Sequence, residues 1–498
     1  MKKFKLLSAL VLMIIVGCNR QNVSITIELS DQPEINNLVY TVPISGTTFY
    51  HFNDTLKQSE TGKFELNLKV NEPSFIIFFG ERFQVRCKLL IEPGKSYHVS
   101  IDEQNNVQIT GANEKGQMLY ATLPYPIWMD DETRKWIGPN DTLPFFSIHQ
   151  QIADLKQTDL SNFKELLGNK EITKSFFDLI QTDRNCYYAS FEALLLILKS
   201  DDNYRSYRLR SGLENEDKQY LADYMEKIYD QYPSNDENLL FSYFWWEYAD
   251  RFVRDYKQFI QGNLDSKELR NNGTYNTYII NEAKKYFSGK ALEFHCARYI
   301  MLYCAEFGLV DKEFISLFEQ FERDYPKSEY SKFLKPYIDK IIDYHQAIEQ
   351  DFDSGTLFMD NYKTVNTLAE AVKPFQGKKI YIDVWATWCG PCKVEFAHNE
   401  ALKKVLAEND IQIIYISTDG ANQEQTWKND IKYYNLIGTH IHANSELAED
   451  LRKLFPRNEE RPVFSIPWYI LVDEQGNIIE EYAKRPSQIV AGESLFTN

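Results

Sequence analysis

The sequence predicts three structural classes in series: an N-terminal antiparallel β-sandwich, a central all-α region and a C-terminal α/β domain. Residues 23–111 alternate apolar and polar side chains with a period of two, the mark of half-buried strands. Residues 116–350 switch to apolar recurrences at helical spacing, and beyond residue 355 strand-like and helix-like stretches alternate. A length of 498 residues suits about three domains at roughly 100–200 residues each. Their boundaries are placed at 18–115, 116–350 and 355–498, after a leader of residues 1–17. Hydrophobic residues are 43% of the chain, with 21 Gly, 17 Pro and no low-complexity tract, which excludes collagen-like and disordered classes. The formal net charge of −17 argues against nucleic acid, whose phosphates need clustered Lys and Arg.

The leader reads MKKFKLLSALVLMIIVG. Lys2, Lys3 and Lys5 give it a positive start, and Leu6 to Val16 form an apolar stretch of 11 residues, too short to span a bilayer. It reads as a secretory signal, and no later apolar run approaches spanning length. The segment IIVGC ending at Cys18 resembles the lipobox of bacterial lipoproteins. That resemblance implies cleavage before Cys18, a lipid on Cys18, and a chain anchored in the cell envelope facing the periplasm. An ordinary signal peptide with an incidental cysteine is the other reading. Losing three lysines takes the net charge to −20, so the chain would hang from its lipid rather than lie on an anionic surface. Export also means an oxidising compartment.

In the first region Val23, Ile25, Ile27 and Leu29 alternate with Ser24, Thr26 and Glu28, and Phe64, Leu66, Leu68 and Val70 repeat the pattern. Phe75 to Phe79 reads as a buried strand, and Glu92-Pro93-Gly94 is a turn before Tyr97, Val99 and Ile101. The order GKFELNL, LLIEPGKSYHVSI, NNVQITGANEKGQ resembles a small β-domain at the front of Bacteroidetes lipoproteins, with docking or spacing as its expected role. In the second region Leu240, Phe244, Tyr248, Phe252 and Tyr256 recur every four residues. Phe314, Leu317, Phe318 and Phe321 form another stripe, and so do Tyr330, Phe333, Leu334, Tyr337, Ile338 and Ile341. Pro336 within the last run predicts a kink or a later start. Such stripes are buried faces rather than a peptide or sugar groove. A boundary falls near Asp353-Ser354-Gly355.

In the third region Lys379 to Ala386 is a strand, followed by a helix after Cys389. Ile411 to Ser417 reads as a strand in a covered sheet. Helices near 423–434 and 444–455 flank a strand at 439–443. Ile466–Val472 and Ile478–Tyr482 flank the turn Asp473–Asn477 as a hairpin, and a final short helix uses 487–496.

Chemistry concentrates in Trp388-Cys389-Gly390-Pro391-Cys392-Lys393, directly after the strand. Two cysteines three apart at a helix start place both sulfurs on one face. The partial positive charge of unpaired N–H groups there stabilises a thiolate on the first. Pro391 costs little in the first turn, where its missing N–H has no intrahelical partner. Cys389 is therefore the expected nucleophile and Cys392 the resolving thiol that closes the disulfide.

This stretch resembles the thioredoxin family, and within it the membrane-anchored thiol–disulfide oxidoreductases similar to TlpA and ResA, over roughly residues 355–498. The resemblance implies a thioredoxin fold, protein disulfides or dithiols as substrate, a membrane electron carrier as donor, and no cofactor beyond the Cys389–Cys392 pair. It implies that Asp383, six residues before Cys389, is the buried acid relaying a proton to Cys392, and that Glu395, three after Cys392, is an active-site glutamate. Pro467, in Ser465-Ile466-Pro467-Trp468, matches the family's cis-proline opposite the disulfide, where the backbone of Ile466 pairs with an incoming peptide. Trp388, Gly390 and Pro391 complete the expected binding surface. Three departures stand out. Tyr415 occupies the place of a lysine that partners the buried acid, Trp468 replaces a small residue and is expected to narrow the groove or stack on substrate, and Arg457–Phe464 lengthens the loop before Pro467.

Rival chemistries fit less well. A zinc site needs four ligands and no second Cys pair lies nearby; His440 and His442 share a strand face without a link to Cys389. A peroxiredoxin would need Pro and Thr where Ile382 and Ala386 stand. An isomerase or oxidase remains the alternative within the enzyme class, and a binding lipoprotein with a thioredoxin-like frame the alternative outside it. Cys87, Cys186, Cys296 and Cys304 read as buried small hydrophobes. The last two, eight residues apart, would be separated by about 12 Å on a continuous helix, beyond disulfide reach.

Overall fold

The alternation of Val23, Ile25 and Ile27 turns all three side chains inward from one strand, and each is fully buried. The computed structural model describes residues 21–30, 35–60, 62–80, 86–123, 145–200, 218–261, 266–306, 308, 310–457 and 463–493. The leader and Cys18 therefore lie outside the described residues, as do 458–462 of the loop before Pro467 and the end of the expected final helix. The chain divides into two units, Met1–Asp339 and Lys340–Asn498.

The first unit opens with eight strands: β1 Gln21–Leu29, β2 Asn37–Thr41, β3 Asn53–Lys57, β4 Lys63–Val70, β5 Ser74–Phe79, β6 Arg86–Ile91, β7 Ser96–Ile101 and β8 Val107–Gly111. They form two four-stranded sheets, ordered β4-β1-β7-β8 and β3-β2-β5-β6. The inner faces share one core in which Val23, Ile25, Phe64 and Val99 meet Leu38, Ile76, Phe78 and Leu89. One pairing departs from an all-antiparallel sandwich: β1 runs parallel to β7, with Ile25 opposite Tyr97. β5 is buried along its whole length for a visible reason. Ile76 and Phe78 point into the sandwich, while Phe75 points the other way, into a cluster with Leu90, Tyr120, Phe163 and Phe176 from the helical part.

Helices dominate from Glu114 onward. Glu114–Thr122, Phe145–Gly168, Lys174–Ser200 and Lys218–Gln231 come first, and Trp245–Asp250 leads into a π-helix, Arg251–Gln261. The four-residue recurrence from Leu240 is thus not one α-helix. Its spacing exceeds 3.6, and the chain follows it by widening to i→i+5 bonding. The helix Ser331–Glu349 continues through Pro336, which neither ends it nor delays its start. Cys87, Cys186, Cys296 and Cys304 are free and buried, as expected of small hydrophobes. No helix among the described residues is long and apolar enough to cross a membrane.

The second unit is built on a six-stranded sheet ordered β14-β13-β10-β11-β12-β9. Its strands are β9 Thr356–Phe358, β10 Lys379–Trp385, β11 Ile411–Ser417, β12 Gly438–His442, β13 Trp468–Val472 and β14 Ile478–Glu480. β10, β11, β12 and β9 are parallel, and β13 and β14 are antiparallel additions. Both faces of β10 are covered. Ile380, Ile382 and Val384 pack with Leu368, Leu447 and Leu451 on one side. Tyr381 and Trp385 point to the other, with Leu402, Leu406 and Ile489 or Phe396 and Trp427 as neighbours. Asp383 lies between them on that second face, because side chains two apart on a strand share a face. The expected helix over 487–496 is observed as Pro486–Val490, ending at Gly492 with φ +97°.

Candidate active site

β10 ends at Trp385, and a three-residue turn brings Cys389 to the head of the helix Gly390–Glu395. Cys389 takes an extended conformation there, and its Sγ accepts the Cys392 N–H at 3.2 Å. The sulfur thus fills the place of an N-cap oxygen, which gives a thiolate a ready donor. Cys389 and Cys392 are joined as a disulfide with Cα atoms 5.3 Å apart. Cys389 is 3% exposed and Cys392 fully buried, whereas Trp388 is 69% exposed. Gly390 and Pro391 are exposed beside it, so this edge is open to an attacking group.

The turn before the cysteines is held from below. The carboxylate of Asp419 accepts the Thr387 N–H at 2.9 and 3.1 Å, the Thr387 hydroxyl at 2.8 Å and the Ser417 hydroxyl at 2.6 Å. Asp419 and Thr387 are both buried. On the other side Lys393 reaches the buried Asp430 at 3.0 Å. None of these partners was expected from the sequence.

Asp383 is fully buried, and neither carboxylate oxygen has a hydrogen-bond partner. Across the sheet it stands between Tyr415 on β11 and Tyr469 on β13. Burial holds its carboxyl well above the usual range, and the charge of Glu395 pushes in the same direction. Glu395 is also buried, but its oxygens are occupied: Ser487 donates its N–H at 3.0 Å and its hydroxyl at 3.1 Å, and Arg485 lies 3.9 Å away. The structure therefore brings the two expected acids together, one without donors and one well supplied.

Tyr415 indeed offers no cation to Asp383. Its hydroxyl accepts from Asn399 at 3.3 Å, and its ring stacks on His440 at 4.9 Å. His440 bonds the Leu436 carbonyl, and burial pushes its imidazole down to about 4, so it stays neutral. No group of three or more His, Cys, Asp or Glu that could hold a metal occurs among the described residues.

The Ile466–Pro467 bond is cis. Ile466 packs against the cluster holding Cys389, Cys392, Trp385 and Phe396, which places this loop beside the disulfide. Trp468 corrects the expectation of a groove-lining ring. It is 2% exposed, wedged against Phe455 and Phe464, and its indole N–H is taken by the Glu481 carbonyl at 2.7 Å. As the first residue of β13 it points into the core, so it has no face left for a substrate.

Residues 356–491 match the redoxin family. The thiol-disulfide oxidoreductase ResA of Bacillus thuringiensis is 27% identical over 111 residues, 22% of this chain and 57% of that protein. ResA of Bacillus cereus is 32% identical over 111 residues, with the same 22% and 57% shares. This chain thus spans 57% of the length of these curated relatives. A crystal structure of the thioredoxin domain of a thiol-disulfide oxidoreductase from Bacteroides vulgatus is 20% identical, covering 24% of this chain and 79% of that one, with a TM-score of 0.19. The stretch that matches the redoxin family is thus the one that carries the cysteine pair at a helix head, the buried Asp383 on the preceding strand and the cis-proline loop.

Proposed function

We propose that the whole chain is a lipid-anchored, extracytoplasmic oxidoreductase that reduces disulfides in protein substrates. The observation that carries this reading is the Cys389 sulfur at the helix head, accepting the Cys392 N–H above a buried, donor-free Asp383. In the reduced form the Cys389 thiolate attacks one sulfur of a substrate disulfide. A mixed disulfide forms, and the other substrate sulfur leaves as a thiolate and takes a proton. Cys392 then attacks the Cys389 sulfur as its proton passes, by way of Asp383, to the departing second substrate sulfur, which leaves as a thiol. Two electrons have moved to the substrate, and the protein is left in the disulfide form described above. A dithiol donor, fed by a membrane carrier, must return them; the pair itself is the only redox group the cycle uses.

Trp388, Gly390 and Pro391 supply the exposed approach, and the backbone of Ile466 ahead of Pro467 pairs with the substrate strand. Cys18 as the lipid-bearing residue would hold the chain in the envelope, and regions 18–115 and 116–350 would act as docking or spacing parts.

The test is the reduction potential of the Cys389–Cys392 pair, measured by equilibration in glutathione buffers and alkylation counted by mass. A value near about −270 mV is expected of a reductant, and one near about −120 mV would recast the protein as an oxidant. Failure of either thiol to titrate reversibly would leave a binding lipoprotein with a redox-type frame.

A further inference from the structure

Glu395 is held by two residues that come almost a hundred positions later in the chain. Ser487 supplies both its N–H and its hydroxyl, at 3.0 and 3.1 Å, and the Arg485 guanidinium stands at 3.9 Å. A buried carboxylate is costly to leave without donors, and these two residues supply them. Asp383 has no such donors, and its carboxyl is held above the usual range by burial first and by Glu395 second. The other titratable groups around the pair are Tyr381 on the same strand, Tyr415 on β11 and Tyr469 on β13. Burial raises all three phenols, so they stay neutral, and Arg485 is the cation facing the group.

We propose that Ser487 and Arg485 are positioning residues for the redox pair: they fix the Glu395 carboxylate beside Asp383, and so tune the pH at which Cys392 becomes reactive. This rests on the proposed function for its biological use, but the chemistry it invokes can be read on the reduced thiols directly. The Ser487 side chain is half-buried and bonds Glu395, and Arg485 is exposed, so neither side chain is a core-packing group. A merely structural tether would alter stability and leave the titration of the thiols where it was.

The experiment is the rate of iodoacetamide alkylation, resolved at Cys389 and Cys392, across pH for the reduced full chain. The variants are Ser487→Ala, Ser487→Thr, Arg485→Gln and Glu395→Gln. Glu395→Gln removes a negative group near the thiol and should move the Cys392 profile to lower pH. In Ser487→Ala and Arg485→Gln, which remove groups that offset that negative charge, the profile should move to higher pH, by about one unit for a lost charge-assisted donor. Ser487→Thr keeps the hydroxyl and should restore the wild-type profile. Profiles that coincide with wild type in both Ser487→Ala and Arg485→Gln overturn the proposal, whatever happens to their melting temperatures. A wild-type pair that alkylates normally but never exchanges with glutathione would instead defeat the oxidoreductase reading, and the alkylation profiles would still decide the role of Ser487 and Arg485.

Discussion

Asp383 is a carboxyl that folding places away from water with nothing to donate to it. Its pKa in the folded chain is held well above the ordinary value, chiefly by burial and then by Glu395. The unfolded chain therefore releases this proton near about pH 4 while the folded chain keeps it, so the group lowers stability progressively as pH rises from there toward its folded pKa. Replacing it with a neutral side chain removes that loss. Asp383→Asn is expected to be more stable than wild type in denaturant at pH 7, with the gap closing as pH falls to about 4, and to resolve mixed disulfides more slowly. A gap that is unchanged between pH 4 and pH 7 would show that the carboxyl is not the source. At this scale Cys389, Cys392, Asp383 and Glu395 are legible in the sequence because they lie within 13 positions of one another and their spacing carries the meaning. The Asp419 clamp on Thr387 and the Ser487 donors to Glu395 are not, since they join residues 32 and 92 positions apart and no local pattern marks a hydrogen bond across a fold.

Elements follow their local patterns where burial is two-sided or alternating, and depart from them where the rest of the fold intervenes. β5 is a continuous apolar run because sandwich and helices claim opposite faces of it. Trp468 looked like a groove residue beside Pro467, yet its strand turns it into the core against Phe455. The parallel pairing of β1 with β7 is likewise invisible in either strand, because period-two patterning fixes the inward face and says nothing of direction. Pro336 is the clearest conflict between local preference and fold. It sits exposed inside Ser331–Glu349, where it deletes the N–H that would bond Lys332 and crowds that carbonyl. The buried stripe of Leu334, Ile338 and Ile341 carries the helix through. An interior proline costs about 3 kcal/mol relative to alanine, and its restriction of the unfolded chain returns at most about 1 kcal/mol. Pro336→Ala should therefore raise unfolding stability by about 2 kcal/mol, seen as a higher denaturant midpoint with an unchanged slope.

At the scale of the molecule, the candidate site is contained in the second of the two units. Every residue of the three cores around β10 falls between 352 and 489, and helices from that same stretch cover both faces of its sheet. The disulfide, Asp383, Glu395 and its donors, the Asp419 clamp and the cis-proline loop all lie within Lys340–Asn498. A core complete in itself should fold alone, because burial of apolar surface within the unit is what offsets its chain entropy. A fragment of residues 340–498 is thus expected to unfold cooperatively and to show the same Cys389–Cys392 potential as the full chain, within about 30 mV, the span of a tenfold change in equilibrium constant. Equal potentials would confine the determinants of the pair's potential to this unit. A shift well beyond that span would mean that residues before 340 enter the thermodynamics of the pair, and the search for determinants of its potential would have to extend to the first unit.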